Sequence, residues 1–245
     1  MMTSTRILGI GALLVSALVL SAGACSKSTN TSVSNGTSAA PANSNVNNAN
    51  AAMNASIANN VNTAAPANVN ATAKIVLPIA GFYDRVTKKP FGIYITSKTS
   101  PVQPERFSGY HAGADAETTS AEQSIDVPVY SIADGTVMYV NYVSGYGGVV
   151  MIQYDVNGET VTALYGHVRS SSVTAKKGDA VTSGQQIAVL GTGYSAETDG
   201  ERTHLHFALL KGASTNVKGY MPQQSQLSAW YDPVQWLRDR EAVTP

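Results

Sequence analysis

The sequence has little charge, and no excess of either sign. Charged residues make up 13% of the 245 positions, and 16 acidic side chains balance 16 basic ones. Because the basic residues Arg6 and Lys27 precede residue 74, residues 74–245 hold 14 basic and all 16 acidic side chains, a net charge of −2. No basic face is evident, which argues against nucleic acid as a partner.

The sequence also lacks a second cysteine and a long apolar run. Cys25 is the single cysteine, so an internal disulfide is excluded. After Arg6, apolar residues run from Ile7 to about Leu20, which falls short of the roughly 20 residues that a membrane-spanning helix needs. A short apolar run followed by small residues predicts a secretory signal over residues 1–24, and hence an exported protein.

The end of this signal suggests a lipid anchor. The segment from Ala22 to Cys25 resembles a bacterial lipoprotein cleavage box. Lipidation of Cys25 would explain an unpaired cysteine in an exported protein, and predicts a cell-envelope lipoprotein held on a membrane outside the cytoplasm. Stable anchoring would need more than one acyl chain. The alternative is a plain signal peptide whose cleavage region contains a cysteine.

A change of composition separates the anchor from the rest of the chain. Residues 26–73 are mostly Asn, Ala, Ser, Thr and Val, and Lys27 carries their only charge. Such a segment cannot bury enough apolar surface to offset the entropy of ordering, so residues 25–73 are predicted to form a disordered linker. Its expected end-to-end distance is roughly 35 to 40 Å. Residues 74–245 remain for one domain.

Strand signals dominate this domain. Short runs rich in Val, Ile, Tyr and Leu alternate with Gly, Asp, Asn or Ser, which predicts an all-β, mainly antiparallel fold. Asn157-Gly158 between two of the runs favours a type I′ hairpin turn. The predicted strands are Val127–Ile132, Thr136–Val143, Val149–Tyr154, Val161–Tyr165, Ile187–Leu190 and Leu205–Leu210.

Two further segments belong to the scaffold. Gly178–Ile187 is similar to the hairpin segment of lipoyl-type barrel sandwiches, but no lysine is presented as those carriers require. Near the end of the chain, Asp232 as N-cap and Pro233 in the first turn predict a short C-terminal helix. Its Trp236 is expected to pack in the core.

All four histidines lie in contexts that favour metal chemistry. His111 and Asp115 are four positions apart with a glycine between them, and His167 ends a strand-like run. His204 and His206 alternate with apolar residues, so both imidazoles project from one face of a strand. A catalytic zinc takes three protein ligands, commonly imidazole and carboxylate, and keeps its fourth position open. One His/Asp pair and one strand histidine would complete that set, which leaves two histidines for proton transfer or charge stabilisation.

These motifs together resemble the signature of lysostaphin-type (LytM-like) zinc metallopeptidases, which cut peptides in bacterial cell walls. The resemblance runs from about Phe91 to Leu210. It implies that one zinc ion is held by His111, Asp115 and His206, and that His167 and His204 are catalytic. It also implies a small β-sandwich or barrel-sandwich-like domain with an open groove.

The sequence departs from the family pattern at two places. Ala208 occupies a position that is commonly acidic, and the approach to His204 is longer than usual, with residues 197–202 in it. Both differences bear on the shape of the groove and therefore on the substrate.

The leading hypothesis is a zinc-dependent endopeptidase acting on peptidoglycan peptides. His204 would be the general base, and His167 would donate to the tetrahedral oxyanion. One alternative is a wall-binding lipoprotein that regulates a separate peptidoglycan hydrolase. Another is a non-haem iron oxygenase, because two histidines and a carboxylate also form its iron site.

Overall fold

A computed structural model describes residues 74–245; the predicted signal, Cys25 and the linker lie outside the described part. The α-helices in it are Phe82–Arg85 (α1) and Pro233–Arg238 (α2), and none is long and apolar enough to cross a membrane. The strands are Tyr94–Ile95 (β1), Gly109–His111 (β2), Ala114–Glu117 (β3), Pro128–Tyr130 (β4), Gly135–Val143 (β5), Gly147–Val156 (β6), Glu159–Val168 (β7), Ala180–Val181 (β8), Gln186–Val189 (β9), His204–Lys211 (β10), Tyr220–Met221 (β11) and Trp230–Tyr231 (β12).

The prediction of a mainly antiparallel all-β fold is confirmed. The largest sheet has the order β12-β10-β7-β6-β5-β8, and β3 pairs with β10 beyond the end of β12. Smaller sheets are formed by β1-β2-β11 and by β4-β9. The strand β10 is therefore enclosed, with β7 along one edge and β3 followed by β12 along the other. All these pairs are antiparallel.

The six predicted strands all occur, with boundaries that shift by a few residues. The predicted hairpin joins β6 to β7, and both Asn157 (φ 52°) and Gly158 (φ 82°) have the positive φ that a type I′ turn requires. The C-terminal helix α2 is also confirmed, since the Asp232 side chain accepts hydrogen bonds from the backbone N–H groups of Val234 and Gln235. Trp236 is buried, as expected.

Both faces of β10 are buried, and this gives the domain its layered core. Leu205, Phe207 and Leu209 point into the larger apolar cluster, where the Phe207 ring packs edge-on against Phe82. Ala208 belongs to a second cluster on the opposite face. Because side chains alternate along a strand, His204 and His206 share that second face with Ala208. The apolar residues thus anchor the strand that presents both imidazoles.

Candidate functional site

The enclosed position of β10 brings the separate histidine motifs together. In the pairing with β3, His206 lies opposite Asp115, and in the pairing with β7 it lies opposite Gly166. His167 directly follows Gly166, and its positive φ of 61° interrupts the strand alternation, so that its ring lies beside His204 with centroids 4.2 Å apart. Three strands therefore contribute Asp115, His206 and His167 to one small region.

His111 arrives from a different sheet. It is the last residue of β2, and only Ala112 and Gly113 separate it from β3. The chain bends back here against β10, so closely that a Cβ added to Gly113 would lie 2.7 Å from the His206 ring and 2.8 Å from the Phe207 carbonyl oxygen. The glycine in the His111-to-Asp115 spacing thus permits the two donors to face the same strand.

Three donor atoms converge at the centre of the site. His111 Nε2 lies 3.0 Å from His206 Nδ1, Asp115 Oδ1 lies 3.0 Å from His206 Nδ1, and His111 Nε2 lies 3.3 Å from Asp115 Oδ1. Zinc bonds of about 2.0 Å at tetrahedral angles separate neighbouring ligand atoms by about 3.3 Å. The spacing therefore fits one small divalent ion bound by these three residues, which are the group with metal-binding geometry in the described part of the chain.

The protonation of these groups supports the fit. His111 Nδ1 lies 3.2 Å from the carbonyl oxygen of Pro90, which can only accept, so Nδ1 carries the proton and Nε2 presents a lone pair. Burial lowers the pKa of His206 to about 4, although the Asp115 carboxylate acts in the opposite direction. Burial would raise the pKa of Asp115, but the neighbouring His204 and His111 outweigh it and hold that pKa well below its ordinary value. Neutral imidazoles and an ionised carboxylate are the forms that bind metal.

His204 lies beside these donors and is also held in one orientation. Its Nδ1 donates to the carbonyl oxygen of Arg202 at 2.9 Å, and its Nε2 lies 3.3 Å from Asp115 Oδ2. The His204 and His167 rings are 4.2 Å apart between centroids. The two histidines that the metal-ligand set leaves over are therefore adjacent to each other and to the donor atoms.

His167 has an unusual backbone conformation and an unpaired ring nitrogen. Its φ of 61° lies in the left-handed region, which costs free energy for a residue other than glycine and is often found at functional sites. Among the described residues, nothing hydrogen-bonds to its buried Nδ1. Burial and then the His204 ring lower the pKa of His167 well below its ordinary value. A neutral imidazole with a free position suits a hydrogen bond to a ligand.

The site opens into a pocket of about 380 Å³. His167, His204 and His206 line it together with Tyr146, whose hydroxyl oxygen lies 3.3 Å from His206 Nε2. Tyr146 therefore lines the pocket, whereas the Tyr165 ring is buried in the main core. A pocket of this size with both polar and apolar walls is suitable for binding a segment of peptide.

The long approach to His204 forms one wall of this pocket. Asp199 accepts hydrogen bonds from the Tyr142 hydroxyl and from the Gly145 N–H, and Arg106 forms ion pairs with Asp199 and Glu201. These bonds connect three separate segments of the chain. The extra residues before His204 therefore shape the groove.

Two charged residues at the site were not anticipated from the sequence. Arg202 contacts Asp115 and forms a two-pronged ion pair with Glu117. The signal was present in the alternation: Arg202 precedes His204 by two positions, as His204 precedes His206, and Glu117 follows Asp115 by two. Asp115 and Glu117 share a face of β3, and Arg202 lies two residues before the start of β10.

A Gly113→Ala substitution is expected to weaken both the fold and metal binding. The new methyl would overlap the His206 ring and the backbone of β10, and overpacking of this kind costs about 1–3 kcal/mol. Thermal unfolding with and without added Zn²⁺ measures both effects. Gly212→Ala is the control, because a Cβ there meets nothing within 4 Å and its positive φ of 70° strains the backbone alone. Equal zinc-dependent stabilisation in the two variants would contradict the expectation.

Comparison with known sequences covers the same region. Residues 109–218 match the sequence model of "Peptidase family M23", and the matched segment contains the five histidine and aspartate residues described above. A curated relative from Haemophilus influenzae, described as an uncharacterized protein, is 35% identical over 117 residues, which is 47% of this chain and 24% of the relative. The chain thus spans about a quarter of the length of this relative.

Several solved structures are similar in part. LytU is 26% identical, and the alignment covers 63% of this chain and 85% of LytU with a TM-score of 0.44. The catalytic domain of lysostaphin from Staphylococcus simulans is 22% identical, with 65% and 97% covered and a TM-score of 0.44. A zinc containing peptidase from Vibrio cholerae is 25% identical, with 57% and 37% covered and a TM-score of 0.37.

Proposed function

We propose that this protein is a zinc-dependent endopeptidase that hydrolyses peptide bonds in bacterial cell-wall peptidoglycan. Its residues 109–218 match the model of peptidase family M23, which supports this function. The observation that carries the proposal is the convergence of His111 Nε2, Asp115 Oδ1 and His206 Nδ1 to within 3.3 Å of one another. His204 and His167 lie beside these donors and face the same pocket. A metal site with two free imidazoles suits hydrolysis better than the iron-oxygenase alternative, which gives those imidazoles no role.

When bound, a zinc ion lowers the pKa of a water ligand toward about 7 and polarises a substrate carbonyl. The general base is His204, because the carbonyl oxygen of Arg202 holds the proton on Nδ1 and leaves Nε2 to take a proton from the attacking water. The Nε2 atom lies 3.3 Å from Asp115 Oδ2. The carboxylate charge is thus in position to stabilise the imidazolium that proton uptake produces.

His167 is assigned the second role, donation of a hydrogen bond to the oxyanion. Burial keeps its ring neutral, so one nitrogen carries a proton that can be donated to the oxyanion. Its left-handed backbone turns the ring toward His204 at the end of β7. Because the ring is already buried against Tyr146 and His204 before substrate binds, little reorganisation is needed when negative charge develops.

The remaining proposals concern the location of the enzyme. The sequence supports export through residues 1–24 and lipid attachment at Cys25, with residues 25–73 as a linker to the peptidase domain. A linker with the expected end-to-end distance of roughly 35 to 40 Å would allow the peptidase domain to reach the wall adjoining its membrane. Fatty-acid labelling that depends on Cys25, and is lost in Cys25→Ser, is the expected result.

Digestion of purified peptidoglycan tests the activity directly. The purified protein is expected to release fragments whose masses show a cleaved peptide bond, and removal of zinc by a chelator should stop their release until zinc is restored. Metal analysis of the protein accompanies the digestion. A zinc-loaded protein that leaves the wall intact but stimulates a separate amidase would favour the regulatory alternative, and bound iron would favour the oxygenase.

A further inference from the structure

The second oxygen of Asp115 has partners of its own. While Oδ1 faces His111 and His206, Oδ2 lies 3.2 Å from Arg202 Nη2 and 3.3 Å from His204 Nε2. The carboxylate is 2% exposed, so water cannot supply these contacts. An anionic oxygen in such surroundings is costly unless a charged donor satisfies it. Arg202 is the permanently charged donor that does so.

Arg202 is itself held rigidly. Its Nε donates to Glu117 Oε2 at 2.9 Å and its Nη2 donates to Glu117 Oε1, so two edges of guanidinium and carboxylate face each other. Burial would lower the pKa of Arg202, but the Glu117 and Asp115 carboxylates raise it, and the group remains charged. Since Glu117 follows Asp115 on β3 by two positions, one arginine spans two acidic side chains of the same strand.

The backbone of the same residue controls the general base. The Arg202 carbonyl oxygen accepts the His204 Nδ1 proton at 2.9 Å. The position of this carbonyl depends on where the Arg202 side chain is tied, because carbonyl and side chain belong to one residue at the entry to β10. The metal ligand Asp115 and the base His204 therefore both contact one residue, Arg202, in the segment that precedes His204.

We propose that Arg202, fixed by Glu117, is a positioning residue that orients the metal ligand Asp115 through its guanidinium and the base His204 through its carbonyl oxygen. This inference rests on the proposed function, since it assumes that Asp115 binds the metal. It assigns a role to the residues that lengthen the approach to His204.

The geometry requires arginine and not simply a positive charge. The planar guanidinium presents several N–H donors at fixed angles, so it can bond Glu117 along one edge and Asp115 through Nη2. A lysine ammonium on a flexible stem cannot reproduce this fork. Arg202→Lys therefore separates the effect of charge from the effect of orientation.

The test uses the full protein and measures zinc affinity by competition with a chromogenic chelator, alongside peptidoglycan hydrolysis at saturating zinc. The first variant is Arg202→Lys. The second combines Arg202→Met with Glu117→Gln, which removes both charges of that ion pair and takes away the charged donor of Asp115 Oδ2. Circular dichroism at saturating zinc, where the bound ion compensates the Asp115 charge, checks that each variant is folded. Zinc affinity is expected to fall by about 10- to 100-fold in both variants, as when outer partners of metal ligands are removed. The rate at saturating zinc is expected to fall as well, because His204 loses its fixed orientation.

Arg240→Met is the matched control. Arg240 forms an ion pair with Glu159 on β7, away from the pocket lining, so its loss should leave zinc affinity unchanged. If both Arg202 variants bind zinc within twofold of the unaltered protein and hydrolyse at its rate, Arg202 has no positioning role. Failure of the unaltered protein to bind zinc or to cut peptidoglycan would instead overturn the proposed function, so the two failures can be told apart.

Discussion

Replacing His111 with Ala is expected to abolish zinc binding and hydrolysis together. The substitution removes one of three donor atoms, and the two that remain, Asp115 Oδ1 and His206 Nδ1, which lie 3.0 Å apart, cannot hold the ion tightly alone. A catalytic metal ion lowers the activation barrier by several kcal/mol, and each 1.36 kcal/mol is tenfold in rate, so a loss of about 10³-fold or more is expected. Bound zinc is measured by elemental analysis after dialysis, and hydrolysis by release of wall fragments.

The neighbouring Tyr110→Ala provides a control on the same strand. Tyr110 alternates with His111 on β2 and its ring packs against Tyr94, with centroids 4.8 Å apart. This variant should retain zinc, because its side chain does not belong to the donor set. A His111→Ala protein that keeps one tightly bound zinc and normal hydrolysis would show that the ligands have been assigned wrongly.

The His204→Ala and His167→Ala substitutions are expected to separate catalysis from metal binding. Neither residue supplies one of the three donor atoms, so each variant should retain its zinc. Loss of a general base or of an oxyanion donor typically lowers kcat by about 10²- to 10⁴-fold. Steady-state kinetics on a defined wall peptide, with zinc content measured in parallel, checks this result.

The effects of the two substitutions on kcat should also be non-additive. If His204 and His167 act in one step, the double variant should lose little more than the worse single variant. Ser108→Ala is the control, because Ser108 lines the pocket without a role in the proposed chemistry. Activity that survives both single substitutions would refute the assigned roles, and loss of zinc from either would place that histidine in the ligand set.

Local sequence patterns were sufficient for much of the fold. The alternation of apolar residues predicted β10 and the pairing of His204 with His206 on one face, and Asn157-Gly158 predicted the β6–β7 hairpin. The strand β3 was not predicted, because the small residues Ala114 and Ala116 carry no strand signal, although they are fully buried beside β10. The prediction therefore identified Asp115 as a donor without recognising the strand that positions it.

The partners of the site residues were harder to predict, because they come from distant parts of the chain. Glu117 and Arg202 are 85 positions apart, and each alone resembles an ordinary exposed charge. Only the antiparallel register of β3 and β10 brings Arg202 to the Glu117 and Asp115 carboxylates. Their i,i+2 spacing from the predicted site residues was visible in the sequence, but its meaning depends on that register.

The sequence by itself determined which residue types are available for metal chemistry and the local strand that presents two of them. Side-chain alternation and turn preferences are properties of a few consecutive residues, so they can be read without a partner strand. The tertiary structure alone decided that His206 meets Asp115 from 91 positions away and His111 from 95. That meeting depends on strand register and on burial of both faces of β10, which arise from the packing of the whole domain and not from any short segment.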